Sequence, residues 1–129
     1  MTENLKLVPE GATWEDDGIY VADSGEVYYT WGAAQTACPE SWELPTKADF
    51  ESLIAGHNTS WIEGAPFNGV RAGGANGGGI VGVGVGGSYW SSTEKGDGGA
   101  YGLLFRDSSM DVVNFNDKAY GYSVRCVAE

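Results

Sequence analysis

Apolar residues along this chain fall in short clusters divided by glycine or polar residues, and none keeps a helical period for more than about two turns. Ile19-Tyr20-Val21 and Val27-Tyr28-Tyr29 are β-prone runs on either side of the turn-forming Asp23-Ser24-Gly25, which predicts a hairpin. Thr30 can then cap a helix running to Cys38, in which Ala33, Ala34 and Ala37 allow close packing against a sheet. A second helix begins after Pro45: Thr46 and Asp49 have capping-box spacing, Phe50, Leu53 and Ile54 share one face, and Gly56 ends it.

Residues 88–92, 100–105, 111–115 and 122–127 read as strands separated by turns at 95–99, 106–109 and 116–118. Period-two alternation places Tyr101, Leu103 and Phe105 on one face of their strand, Val113 with Phe115, and Tyr122 and Val124 with Cys126. Two helices followed by strands predict an α+β fold, two short helices packed on a small twisted antiparallel sheet with long glycine-rich loops.

Between these parts, residues 69–87 are rich in glycine, and Ile80, Val81, Val83 and Val85 alternate in part with Gly82, Gly84 and Gly86. Two readings stand: a flexible surface loop holding one poor strand, or a long loop shaped by positive-φ glycines and held by surrounding aromatics. A phosphate cradle is disfavoured, because no Gly-Lys-Ser/Thr follows.

Size and charge narrow the function. A length of 129 residues fits one domain, taken as 1–129. The net charge of -11 repels phosphate backbones and anionic bilayers, so nucleic acid and acidic membranes are poor partners and no nucleic-acid ligand is expected. No stretch approaches the ~20 apolar residues of a spanning helix, and Met1-Thr2-Glu3-Asn4 lacks the basic and apolar regions of a secretory signal. Neither a signal nor an anchor is read in this chain, and no membrane insertion is expected.

Catalytic chemistry finds little support. The sole histidine, His57, lies in a polar Gly-His-Asn-Thr-Ser segment and reads as an exposed loop residue without a nucleophile beside it. Glu15, Asp16 and Asp17 next to Gly18 read as a solvated turn rather than an acid-base pair. No catalytic residue, metal ligand or cofactor is assigned, and the expectation is a protein that is not an enzyme.

The strongest pointer is a series of short phrases: Met1-Thr2-Glu3-Asn4-Leu5, Val27-Tyr28-Tyr29-Thr30-Trp31, Trp31-Gly32-Ala33-Ala34, Cys38-Pro39, Trp42-Glu43-Leu44-Pro45-Thr46, Tyr89-Trp90-Ser91-Ser92-Thr93 and Tyr122-Ser123-Val124-Arg125-Cys126-Val127. Taken in order, they resemble the Fibrobacter succinogenes major paralogous domain, a family of bacterial surface proteins. Its fold is similar to C-type lectins and to formylglycine-generating enzymes. The chain departs from that pattern in carrying Glu43 where a basic residue is common and in lacking the strands that usually precede the Glu-Asn-Leu phrase, and the second departure implies either missing upstream sequence or an unusual amino terminus.

The resemblance implies a C-type-lectin-like domain with a disulfide between Cys38 and Cys126. Closing a loop of about 88 residues is worth on the order of 4–5 kcal/mol in the chain-entropy account. It also implies an oxidising setting, extracellular, at a cell surface or on a virion. Core packing is expected for Trp31, Trp42 and Trp90, which lie in the shared phrases. Both cysteines are then structural, and the reactive thiol of the formylglycine-generating branch is not implied. Sugar-binding C-type lectins take calcium through Glu-Pro-Asn or Gln-Pro-Asp together with Trp-Asn-Asp. Here Phe115-Asn116-Asp117 resembles a weakened second phrase and the first is missing, so no metal site is assigned and an ordinary turn is read.

Recognition is then expected at strand ends and turns of the carboxy-terminal sheet, at Tyr89, Glu94, Lys95, Asp97, Arg106, Asp107, Met110, Asn114, Asn116 and Tyr120. The expected ligand is a protein or glycan on a cell surface, bound by a bacterial or phage-borne display domain. Similar lectin-like domains occur as variable proteins of diversity-generating retroelements. Three alternatives remain: a calcium-dependent lectin, an oxidase or hydrolase of the formylglycine-generating branch, and a structural module of a surface fibre.

Overall fold

The computed structural model describes residues 1–77, 79–115 and 117–129. They form a small α+β domain of short helices and small antiparallel sheets. The predicted hairpin pairs β1 (Ile19–Val21) with β2 (Val27–Tyr29), Tyr20 opposite Tyr28. The predicted second helix is α3 (Lys47–Ile54), numbered after α1 (Trp14–Asp17) and α2 (Trp31–Ala34). Its capping box is complete: Asp49 N–H donates to Thr46 Oγ1 at 3.0 Å and Thr46 N–H to Asp49 Oδ2 at 2.9 Å, which satisfies two otherwise orphaned donors.

Three expectations need correction. The helix expected from Thr30 to Cys38 stops at Ala34, because Thr36 and Ala37 bond back only three residues, to Ala33 and Ala34. That tighter winding delivers Cys38 to Cys126, to which it is bonded, with Cα atoms 5.9 Å apart. Two further single-turn helices complete the set among the described residues. In α1 the run Glu15-Asp16-Asp17, expected as an open turn, is capped by Thr13; α4 (Thr59–Ile62) is capped by Asn58. Acidic side chains in a first turn favour helix over coil, which explains α1.

The third correction concerns residues 122–127, expected as a fourth strand with one buried face. They cross the domain through isolated bridges, Tyr29↔Tyr122 and Tyr89↔Ser123, and regain strand form only at β9 (Val127–Ala128), paired with β3 (Trp42–Glu43). Leu5 N–H donates to Val124 O at 2.8 Å. Chain on several sides buries both parities, Ser123 and Arg125 as well as Val124 and Cys126.

The principal sheet has the order β6-β7-β8, from β6 (Gly87–Lys95), β7 (Gly99–Phe105) and β8 (Met110–Phe115). Tyr89, Leu103 and Phe105 face Phe50 of α3 and Ile62 of α4, with Val112 and Met110 packed at the margin. The other face carries Trp90, Ala100 and Phe115 into a second cluster with Tyr29, Leu44, Val124 and Cys126. Trp90 Nε1 donates to Tyr29 O at 2.7 Å, and its ring meets Phe115 edge-on at 5.4 Å, so the largest core side chain is both buried and polar-satisfied. Trp31 and Trp42 are half-buried against this cluster.

The glycine-rich segment follows the shaped-loop reading. β4 (Gly74–Asn76) and β5 (Gly79–Val81) form a hairpin, and Ala75 exchanges both backbone bonds with Gly121, at 2.8 and 2.7 Å. Tyr28 Oη donates to Ala72 O at 2.7 Å and fixes the base of this hairpin to the core. At Gly73 φ is +64°, a conformation glycine adopts without the Cβ penalty.

Candidate functional site: a groove beside the glycine-rich hairpin

Part of the Trp90 face of the sheet is left uncovered. There the backbone of Gly73, Gly74, Gly82 and Gly86 forms one wall of a cavity of about 160 Å³. Ser88, Leu104 and Tyr122 form its floor, and Val81, Val85, Arg106 and Tyr120 its rim. Glycine makes room here: a Cβ on Gly74 would lie 2.7 Å from the Tyr122 ring, and one on Gly86 would lie 3.1 Å from Arg106 Cγ. The arginine stem therefore runs across bare backbone.

The floor is aromatic and partly desolvated. Tyr122 packs against Phe115 at 4.3 Å and Trp90 at 4.8 Å, while Tyr120 leans over it at 6.3 Å. Burial, followed by the neighbouring Tyr120 and Asp117, pushes the Tyr122 phenol up to about 12. Its hydroxyl stays protonated at physiological pH and can donate as well as accept.

Two arginines at this end of the sheet are treated differently. Arg71 is held by Glu63 at 2.7 Å and by Asp107, and these hydrogen bonds raise its pKa further. Among the described residues no carboxylate pairs with the exposed Arg106 guanidinium. Five donors in a planar fork are thus presented at the groove rim.

The ten expected recognition residues do not make one patch. Arg106 and Tyr120 line the groove. Glu94, Lys95 and Asp97 lie at the opposite end of β7, roughly 20 Å away at ~3.4 Å per residue. There Glu94 is tied to Lys118 at 2.5 Å, and the Lys95 ammonium sits 5.7 Å from the Tyr101 ring centre, with Lys47 also over that ring at 4.6 Å. Asp107 is exposed but engaged by Arg71, and Met110 packs against the α3 cluster. Asn114 is half-buried on β8, and Asn116 lies outside the described residues.

Tyr89 must be removed from any surface site. It is fully buried, donates to Asn4 Oδ1 at 2.6 Å and accepts from Val70 N–H at 3.0 Å. It belongs to a polar knot around Arg125, whose guanidinium donates to Phe67 O and to Asn4 Oδ1 at 2.5 Å and stacks over the Phe67 ring at 4.3 Å. Burial lowers the Arg125 pKa and raises that of Tyr89. This knot joins residues distant along the chain, so no local signal marks it. For the groove a signal did exist: valine alternating with glycine over 81–86, opposite a predicted strand.

His57 stacks flat on Trp61 at 3.8 Å and is exposed. Among the described residues no group of three or more His, Cys, Asp or Glu is placed to hold a metal ion, and no helix is long and apolar enough to cross a membrane. No family model matches the chain, and no curated protein or solved structure matches it.

Proposed function

We propose that this chain is a non-enzymatic ligand-binding domain of C-type-lectin-like fold, related to the Fibrobacter succinogenes major paralogous domain and displayed at a bacterial cell surface or on a virion. Its ligand is a protein or glycan group seated in the groove beside the glycine-rich hairpin. The observation that carries this reading is the exposed Arg106 fork, without an ion pair among the described residues, beside Tyr120, Tyr122 and Leu104 at the groove. Arginine and tyrosine are the side chains in which recognition surfaces concentrate affinity, and an apolar cavity with few convergent polar groups is the usual form of a binding site. The Cys38–Cys126 disulfide is consistent with an oxidising location.

The test is binding of the purified chain to a glycan array and to a panel of surface proteins, compared with Arg106→Ala and Tyr120→Ala. Each change should remove about 2 kcal/mol or more of affinity while leaving the melting temperature close to that of the parent. Retained binding in both variants would place the site elsewhere. A chelator that abolished binding would favour the calcium-dependent lectin instead.

A further inference from the structure

A chain with 18 acidic side chains places none of them in the lining of the groove, where Arg106 is the only charged residue among those described. The acids that come near are already engaged. Asp107, next to Arg106 in sequence, is held by Arg71, which also takes Glu63. Asp117 lies close enough to Tyr122 to help, after burial and Tyr120, in raising its phenol, and its Oδ1 accepts from Ala119 N–H at 2.8 Å. A guanidinium without an ion pair, set in a surface of net charge -11, makes the groove a local positive spot that attracts a single anionic group, while the surrounding acids repel a polyanion.

Resting on the reading of this groove as the ligand site, we propose that it takes a hexuronic acid ring that ends an otherwise neutral glycan. The ring carboxylate matches the planar fork of Arg106 through two parallel hydrogen bonds. The cavity of about 160 Å³ is close to the ~150 Å³ that accepts one six-membered ring. Tyr120, Tyr122 and Leu104 offer the C–H face of that ring an aromatic and aliphatic surface. An extended peptide is a poorer fit, because such ligands are held by main-chain pairing and the glycine wall is already paired. Gly73 N–H donates to Gly86 O at 2.9 Å, Gly86 N–H to Gly82 O at 3.3 Å, and Gly74 pairs with Val81.

NMR titration of the whole chain tests this, with the methyl glycosides of glucuronic and galacturonic acid, the same compounds as carboxyl methyl esters, and polygalacturonate. At least one acid should bind about tenfold more tightly than its ester, since hydrogen bonds to a charged group are the stronger ones. Arg106→Gln should bring acid and ester to equal affinity, whereas Tyr120→Ala should weaken both alike, each with a melting temperature close to the parent's. Polygalacturonate should bind less tightly than the single acid. Equal affinity of the parent for acid and ester overturns the proposal but leaves the groove as the ligand site if Tyr120→Ala still weakens binding. Acid preference that survives Arg106→Gln overturns both. Failure of either acid to bind, tighter binding of polygalacturonate, or equally tight binding of a peptide whose only acid is its terminal carboxylate also overturns the proposal, and the array comparison of Arg106→Ala and Tyr120→Ala then decides the groove separately.

Discussion

The two faces of the β6-β7-β8 sheet are built from the same strands and end differently. Against α3 and α4, Tyr89, Leu103 and Phe105 are closed over by Phe50, Ile62 and Phe67, and all six are buried. On the other face Trp90 and Phe115 are covered with equal completeness, but a few residues further along the same strands Leu104 is roofed by glycine and a groove remains. Side-chain volume supplied by the covering segment decides the outcome. A helix brings Phe and Leu to the sheet, while a glycine-rich hairpin brings backbone and leaves its valines facing outward.

That contrast can be broken most severely on the filled side. Phe50→Ala removes a buried ring packed with Ile62, Tyr89, Leu103 and Phe105, and should cost about 3–5 kcal/mol by chemical denaturation. A loss under 1 kcal/mol would mean that α3 is not closing the core.

On the groove side the informative change adds volume. Gly74→Ala drives a methyl against the Tyr122 ring and should cost about 1–3 kcal/mol while narrowing the groove, so ligand capture falls along with stability. Unchanged capture would show that the floor is not part of the site.

Much of the filled side was legible in the sequence, since capping chemistry at Thr46 and Asp49 and the Phe50, Leu53 and Ile54 period are local signals that packing reinforced. The alternation of β7 was legible for the same reason. The last segment was misread because alternation assumes one wet face, and residues 123–126 have none. The site was legible in part. Arg106 and Tyr120 are polar residues beside turns, whereas recognising Tyr89 as buried required knowing that Asn4 and Arg125 would meet it from opposite ends of the chain.

A smaller effect on the groove side is a pH dependence. Tyr122 ionises near 10 when unfolded and at about 12 when folded, so its protonated form favours the fold. The stability it contributes is complete below pH 10 and is lost as pH rises towards 12. Tyrosinate absorbance followed through alkaline titration should show a phenol titrating in that window that is absent in Tyr122→Phe. The smallest expected effect is Arg106→Ala on stability, about 0.5 kcal/mol or less, since the guanidinium is exposed and holds no ion pair among the described residues.

The covalent link between Cys38 and Cys126 also determines how this domain carries mechanical load. Tension applied to its two ends runs along residues 1–38, through the disulfide, and out through 126–129, bypassing everything between. Every groove residue, from Gly73 to Tyr122, lies inside the bypassed loop. The oxidised chain can be drawn out to roughly 150 Å instead of the roughly 450 Å of a free chain of this length. Tension from flow would fall on residues 1–38 and 126–129, and would reach the groove only through their contacts with it, such as Tyr28 with Ala72 and Tyr29 with Tyr122.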